Sequence, residues 1–314
     1  MKRNQNDAQI PINMNLLYEQ LLKAVDIVIH AINQNGETIV LNKPILTIKA
    51  KKSQPSTTPF RLLKTEKSPE PWQGGTTVMK NWLNDANHTV VFTGAGMSTE
   101  SGLPDFRSVN QGLWNQQDPG KIASTEALNY NVDEFIDFYR TRVLNVKDYK
   151  PHKGHRILAD WENQGLVQSI ITQNVDGFHQ KAGSENVSEL HGTLQKLHCQ
   201  SCGKEYKSEE YVNQEYHCEC GGILRPSITL FGEMLPQDAF QLALAESEKA
   251  DLFIVLGSSL SVTPANQFPL IAKQNGAKLV IVNRDATDFD QYADDVIHSR
   301  EIGDVLEEWN NLRF

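Results

Sequence analysis

Three short stretches of this chain carry side chains whose types and spacing suit chemistry. The first is glycine-rich: Gly94-Ala95-Gly96-Met97-Ser98-Thr99-Glu100-Ser101-Gly102-Leu103-Pro104-Asp105-Phe106-Arg107, directly after the apolar run Val90-Val91-Phe92. Glycines at a strand end let backbone approach a phosphate, and a following helix N-terminus offers unpaired N–H groups to the anion. The spacing Gly94-x-Gly96-x5-Gly102 departs from G-x-G-x-x-G, and a glycine pair at a strand end is more often a plain turn. The polar tail favours a nucleotide site, because Asp105 and Arg107 flank an aromatic where no amphipathic pattern would hold them. The second stretch is Thr172-Gln173-Asn174-Val175-Asp176-Gly177-Phe178-His179, with amides and a carboxylate able to orient a polar ligand. The third, Glu189-Leu190-His191-Gly192-Thr193, sets a histidine beside a glycine. Histidine titrates near neutrality and is the common general base. A lone histidine is more often structural, and chemistry alone ranks His191 and His179 equally.

All four cysteines, Cys199, Cys202, Cys218 and Cys220, fall within 22 residues. Cys-x2-Cys followed by Cys-x-Cys fits a closed tetrahedral four-thiolate zinc site, with Gly203 and Gly221-Gly222 supplying tight turns. The N-terminus has no secretory h-region, so disulfides are the weaker reading. Zinc ribbons often bind nucleic acid, but Glu205, Glu209, Glu210, Glu215 and Glu219 make this one acidic.

These groups must be positioned by a scaffold, and the pattern from about residue 72 onward predicts one. Short apolar runs at His88–Phe92, Leu166–Thr172, Asp251–Leu256, Ala277–Val282 and Asp294–His298 read as strands buried on both faces. Helical patterns lie at Val132–Val146, His155–Gln164, Pro264–Asn275 and Ile302–Leu312. The alternation predicts an α/β fold, a doubly wound Rossmann-like parallel sheet with ligands outside the carboxyl ends of its strands. The polar clusters fall at those ends: Gly94–Arg107, Gln173–Asp176, Gly257-Ser258-Ser259 and Asn283-Arg284-Asp285. The expected core comprises 72–113, 151–193 and 227–314. Insertions 114–150 (helical) and 194–226 (the cysteine ribbon) are expected to build a smaller zinc-binding and helical domain.

Residues 1–71 stand apart as an extension of unknown role. A helix is expected over Met14–Ile32 and strands at Thr38–Leu41 and Ile45–Ile48, followed by Ser/Thr/Pro-rich linker. The 314-residue chain is 39% hydrophobic and 22% charged, as soluble globular proteins are. No run approaches a membrane span. The net charge of −9 argues against general nucleic-acid binding. Residues 1–75 nevertheless hold ten Lys/Arg against six Asp/Glu. A cytoplasmic location is expected, with neither nucleic acid nor membrane as a partner.

Taken in order, the Gly94–Arg107 loop, Thr172-Gln173-Asn174-Val175-Asp176, His191-Gly192, the four cysteines and Phe231-Gly232-Glu233 resemble the sirtuins, NAD-dependent protein deacylases. The resemblance covers about Trp72 to Phe314. It implies that Gly94, Ala95, Gly96, Ser98, Asp105, Phe106 and Arg107 line the pyrophosphate and nicotinamide-ribose region of NAD. Gln173, Asn174 and Asp176 would hold the nicotinamide and its ribose, and Gly257, Ser258, Ser259, Asn283 and Asp285 the adenosine half. His191 would be the general base, with Asn174 and Asp176 beside it in the catalytic group. Phe231, Gly232, Glu233 and Val262 would flank an extended acyl-lysine peptide added as a strand. The cysteines would hold one structural zinc ion. The products would be free lysine, nicotinamide and O-acyl-ADP-ribose.

Three positions depart from the family pattern: Cys-x-Cys for Cys-x-x-Cys, Gly-Ser-Ser for Gly-Thr-Ser, and Ser227-Ile228-Thr229-Leu230 where two valines are usual. Tyr139-x-x-Arg142 resembles the pair with which some sirtuins bind succinyl or malonyl carboxylates. Deacetylation is thus expected, with removal of acidic acyl groups as a second expectation. Against it stands the reading that Tyr139 packs and Arg142 is solvated. An NADase or mono-ADP-ribosyltransferase on the same site is the alternative function, disfavoured by the peptide segment and His191. A hydride-transfer oxidoreductase and a non-enzymatic zinc ribbon leave more residues unexplained.

Overall fold

In the computed structural model the described residues are 76–108, 112–115 and 118–311. The elements expected over residues 1–71 lie outside them. The chain enters through α1 (Thr76–Asp85) into β1 (Thr89–Thr93), whose five residues are all buried. Helices α2 (Pro119–Ile122), α3 (Thr125–Tyr130) and α4 (Val132–Asp148) follow, then α5 (Lys153–Asn163) and β2 (Ser169–Thr172). Next come α6 (Phe178–Ala182), β3 (Val187–Glu189), β4 (Gly192–Cys199), β5 (Glu205–Lys207), α7 (Glu209–Val212) and β6 (Leu224–Ile228). Helix α8 (Gln237–Lys249), β7 (Leu252–Leu256), α9 (Phe268–Gln274), β8 (Lys278–Val282), β9 (Asp295–Ile297) and α10 (Ile302–Asn311) complete it.

Six strands form one parallel sheet in the order β3-β2-β1-β7-β8-β9. The order reverses between β1 and β7, where Phe92 sits between Ile171 and Val255 in register. In such a sheet the crevice beyond the carboxyl ends of the strands at the reversal is the place for a ligand. The doubly wound sheet is the predicted fold. Its core includes Val91, Ile170, Ile254 and Val280 from the strands, with Leu158, Trp161, Val305 and Trp309 from the helices.

A smaller antiparallel sheet, β5-β4-β6, carries the cysteines. It shares one apolar cluster with the helical insertion: Phe135, Tyr139, Val143 and Val146 of α4 pack with Leu194, Leu197, Tyr211 and Leu224. Helix α3 starts where the Ser124 hydroxyl accepts the Ala127 N–H at 3.0 Å, a side-chain N-cap.

Several boundaries differ from expectation for identifiable reasons. Strand β2 begins at Ser169 rather than Leu166, because the Leu166 and Val167 N–H groups turn back to the Trp161 carbonyl. Residues Pro264–Asn275 are not one helix. A 3-10 turn (Ala265–Gln267) precedes α9, and Pro269 sits in its first turn, where the missing N–H costs nothing. Strand β3 and helix α8 were not anticipated. β3 is three residues long and includes Ser188 and Glu189, so it gives no apolar run. Among the described residues no helix is long and apolar enough to cross a membrane.

Candidate active site

The loops after β1 and β7 are in backbone contact, and glycine makes that possible. Gly94 N–H donates to the Leu256 carbonyl (3.0 Å) and Gly96 N–H to the Gly257 carbonyl (2.9 Å). Gly257 has φ +64°, and a Cβ there would lie 2.3 Å from the Met97 nitrogen. Its own N–H donates to the Val282 carbonyl (2.8 Å), which stitches the end of β8 to the same place.

Onto this base the second motif is bonded by its side chains. Asn174 Nδ2 donates to the Gly94 carbonyl at 2.9 Å, and its backbone N–H to Thr172 Oγ1 at 3.0 Å. Ser98 Oγ donates to Asp176 Oδ2 at 2.7 Å, and the Phe178 N–H to Asp176 Oδ1 at 2.9 Å. Asn174 and Asp176 are both buried, and burial pushes the Asp176 carboxyl above its ordinary value, against the pull of Phe178 N–H, Ser98 and Arg142. Gln173 Nε2 donates to Ser258 Oγ at 2.8 Å, tying the β2 and β7 loops together. Sequence reasoning missed Gln195, whose Nε2 donates to the Asp176 carbonyl at 2.9 Å. It sits within β4 and nothing in its local sequence marks it.

The two histidines that chemistry alone could not separate are separated by geometry. His191 is half-buried at the turn into β4, and its Nδ1 lies 3.0 Å from the Gln173 carbonyl. A carbonyl only accepts, so Nδ1 carries the proton and Nε2 keeps its lone pair. Burial lowers its pKa, the bond to Gln173 raises it, and nearby Arg107 lowers it further. A neutral imidazole with a free Nε2 is a base at neutral pH. His179 is buried, with Nε2 against Thr93 Oγ1 at 3.0 Å and its ring 4.9 Å from that of His155. It has no route to a substrate.

The rest of the expected set lies around this centre. The Asp105 carboxylate accepts the Ser108 N–H (3.0 Å), while Phe106 stacks on Trp114 with centroids 5.0 Å apart. The Arg142 guanidinium lies 4.9 Å from the Phe106 ring centroid and 5.8 Å from that of Phe138, and Asp176 acts on it electrostatically. Tyr139 is buried between Phe135 and Phe138, and burial raises its pKa. Ser259 is exposed, with Oγ bonded to Ser261 Oγ (2.9 Å), and Asn283 Nδ2 donates to the Asp285 carbonyl (2.8 Å). These last three stand at the rim without touching the Ser98–Asp176 centre.

Across the crevice, the Phe231 backbone is already engaged: its N–H donates to the Ala123 carbonyl and its carbonyl accepts from Thr125. The Glu233 N–H is engaged as well, donating to the Leu230 carbonyl (3.0 Å), so the groups left for an added strand are those of Gly232 and the Glu233 carbonyl. Val262, expected on the other side of the peptide, uses its carbonyl for the Asn266 N–H (2.9 Å).

The four cysteine Sγ atoms lie within 4.8 Å of one another, with Cys199–Cys220 at 3.5 Å and Cys202–Cys218 at 3.6 Å. Thiolates about 2.3 Å from a tetrahedral zinc ion stand at such separations. Ser201 and Cys202 N–H groups point at Cys199 Sγ, and a Cβ on Gly222 would fall 2.6 Å from that sulfur. The donor set and the close backbone fit a structural zinc site.

A model of the Sir2 family matches residues 94–264. An NAD-dependent protein deacetylase of Oceanobacillus iheyensis is 71% identical over 74% of this chain and 99% of its own length. A solved Sir2 with deacetylated p53 peptide and 3'-O-acetyl ADP ribose superposes with TM-score 0.72 at 37% identity, covering 76% of this chain and 98% of that one. A Sir2–p53 peptide–NAD+ structure gives 0.70 at 36% identity over the same shares. The fold and crevice define an α/β protein with a dinucleotide-type site joined to a four-cysteine ribbon. This chain belongs to the Sir2 family.

Proposed function

We propose that the protein is an NAD-dependent protein-lysine deacetylase, in which the crevice at the β1/β7 reversal takes NAD as co-substrate and an acyl-lysine peptide enters along Gly232–Glu233. The observation that carries this is the convergence on one spot of a backbone-level glycine contact, the Ser98–Asp176 and Asn174–Gly94 bonds, and a neutral His191 with Nε2 free. Its relatives' names and the p53-peptide and NAD+ complexes of its structural neighbours support the same reading.

Each group has a stated task. Gly94, Gly96 and Gly257 let the β1 and β7 loops close on each other and form the base against which a pyrophosphate would lie. Asn174 and Asp176, both held by at least one protein donor or acceptor, fix the orientation of the nicotinamide half in a dry pocket. The acyl-lysine amide oxygen displaces nicotinamide from the ribose carbon. His191 Nε2 then takes a proton from a ribose hydroxyl so that its oxygen attacks the amidate carbon, and addition of water with loss of the amine releases the lysine. The Gln173 carbonyl holds the Nδ1 proton in place and supports the imidazolium that forms. The products are free lysine, nicotinamide and O-acyl-ADP-ribose. Cys199, Cys202, Cys218 and Cys220 hold a zinc ion that closes the ribbon and takes no part in the chemistry.

The same site extends to acidic acyl groups. Arg142 lies on two aromatic rings rather than in an ion pair, and it is near both Asp176 and the Tyr139 hydroxyl. A guanidinium of this kind suits a carboxylate presented by a succinyl or malonyl group. The test is turnover of acetyl-, malonyl- and succinyl-lysine peptides by wild type and Arg142→Met. The variant should lose acidic acyl turnover at least tenfold more than acetyl turnover. Equal losses, or none, would remove the acidic-acyl assignment and leave deacetylation standing.

A further inference from the structure

The segment that should receive the peptide is held at its far end by a charge pair that no catalytic step uses. Glu233 Oε2 accepts the Leu230 N–H at 2.9 Å and Arg225 NH2 at 3.0 Å, and Oε1 lies 2.8 Å from Arg225 NH1. The Arg225 side chain is only 6% exposed. Its Nε donates to His198 Nε2 at 3.0 Å, so that nitrogen is unprotonated, and His198 Nδ1–H is left to donate to Ser227 Oγ at 3.1 Å.

The pair sits between two working parts of the molecule. In the β4/β6 register His198 faces Arg225, and the next pair is Cys199 with Leu224, so the cysteine ribbon and the pair share one hydrogen-bonded ladder. Arg225 and Glu233 also both act electrostatically on the buried Tyr139. Between them and the helical insertion, Gly232 adopts φ +95° with its Cβ position 2.9 Å from Thr125 Oγ1. The Glu233 side chain is 25% exposed, but its partner is buried, and an ion pair with a buried member is rarely more stable than an apolar replacement of the same volume while accepting one geometry only. A Glu233 carboxylate consumed inside the protein is also unavailable to the substrate.

We infer that Arg225 and Glu233 are a positioning pair: they fix the turn at Gly232–Glu233, itself closed by the Glu233 N–H on the Leu230 carbonyl, so that the Gly232 backbone and the Glu233 carbonyl can pair with the acyl-lysine peptide, and they tie that edge to the cysteine ribbon. This inference rests on the substrate reading above and deepens it. Glu233 contributes no side-chain contact to the peptide. Its effect passes through backbone placement, and it belongs to the peptide side of the reaction alone.

The experiment compares wild type with Glu233→Gln and Arg225→Lys. Acetyl-lysine peptide affinity is read by fluorescence anisotropy, with peptide KM, NAD KM and kcat from steady-state turnover, and with thermal midpoint and zinc content as controls. Glu233→Gln should weaken peptide binding and raise peptide KM about tenfold, as expected for a misplaced positioning element. NAD KM should change less than about twofold, the larger part of the loss should lie in KM, and zinc should remain bound. Arg225→Lys keeps one charge without the fork and should fall between the two. Unchanged peptide affinity in a destabilised Glu233→Gln, or parallel losses for NAD and peptide, would overturn the inference. If Glu233→Gln does not fold, Glu233→Asp, which keeps the charge and shortens the reach, carries the same comparison. Wild type that binds no acylated peptide would instead overturn the substrate reading.

Discussion

Replacing Gly257 with alanine tests the base of the site at its most constrained point. The new Cβ would lie 2.3 Å from the Met97 nitrogen and 2.5 Å from the Gly96 carbonyl carbon, both backbone atoms. It would also have to adopt φ +64°. The left-handed conformation costs a non-glycine residue about 1–2 kcal/mol, and the overlap adds roughly 1–3 kcal/mol as the loops separate. At about 2–4 °C per kcal/mol for a domain of this size, the thermal midpoint should fall by roughly 4–20 °C. Separation should stretch the Gly96–Gly257 bond of 2.9 Å and displace the Gly94 carbonyl that Asn174 holds. NAD KM should therefore rise about tenfold or more while peptide affinity holds. Gly165→Ala supplies the matched control: φ there is +72°, and nothing lies within 4 Å of the added Cβ. That variant should lose only the conformational cost, about 2–8 °C. A Gly257→Ala protein no less stable than Gly165→Ala, with normal NAD KM, would refute the argument that these loops meet at backbone distance.

Burial, opposed by the Gln173 bond, and the Arg107 charge together hold the His191 pKa below 6.5, so the acid limb of kcat/KM should lie below that value. Arg107→Gln should move it upward, and a limb that stays put would exclude Arg107 as a determinant. His155 and His179 are buried and neutral, with folded pKa values well below 6.5 and about 3 respectively, both through burial first. In the unfolded chain they protonate below 6.5, so each gives stability that is complete above that pH and lost progressively as pH falls toward its folded pKa. His179 should contribute about 1.4 kcal/mol per pH unit between about pH 6 and 4, and His155 a loss of the same sign as pH falls below 6.5. Urea midpoints at pH 7, 6 and 5 should show that slope, reduced in His179→Gln, and an equal slope in the variant would contradict it. Cys199→Ser, or a strong chelator, should release one zinc ion per chain and lower the thermal midpoint. Retention of metal by the variant would remove Cys199 from the ligand set.

The strands of the large sheet were legible because they are buried on both faces, so Val90-Val91-Phe92 and Leu252–Leu256 read as unbroken apolar runs. The rim residues were legible because glycine, amide and acid types cluster where those runs stop. Helix α8 was not, although Phe240, Ala243 and Ser247 recur on one buried face, because Ser247 is polar and its hydroxyl is satisfied by the Ala243 carbonyl. The choice between His191 and His179 was closed to residue chemistry alone. It depends on what each ring meets, the Gln173 carbonyl for His191 and Thr93 with the His155 ring for His179, and only the fold fixes that. Gln195 and the Arg225–Glu233 pair share the same difficulty, since their partners are distant in sequence or buried by a register that local pattern does not encode.

The most direct measurement of the central claim is the stoichiometry of the reaction at His191. Wild type, given NAD and an acetyl-lysine peptide, should release nicotinamide, deacetylated peptide and O-acetyl-ADP-ribose in equal amounts. His191→Tyr should stay folded with zinc bound and form none of the last two. Deacetylation that proceeds without NAD, NAD loss that needs no peptide, or an active His191→Tyr would contradict the account.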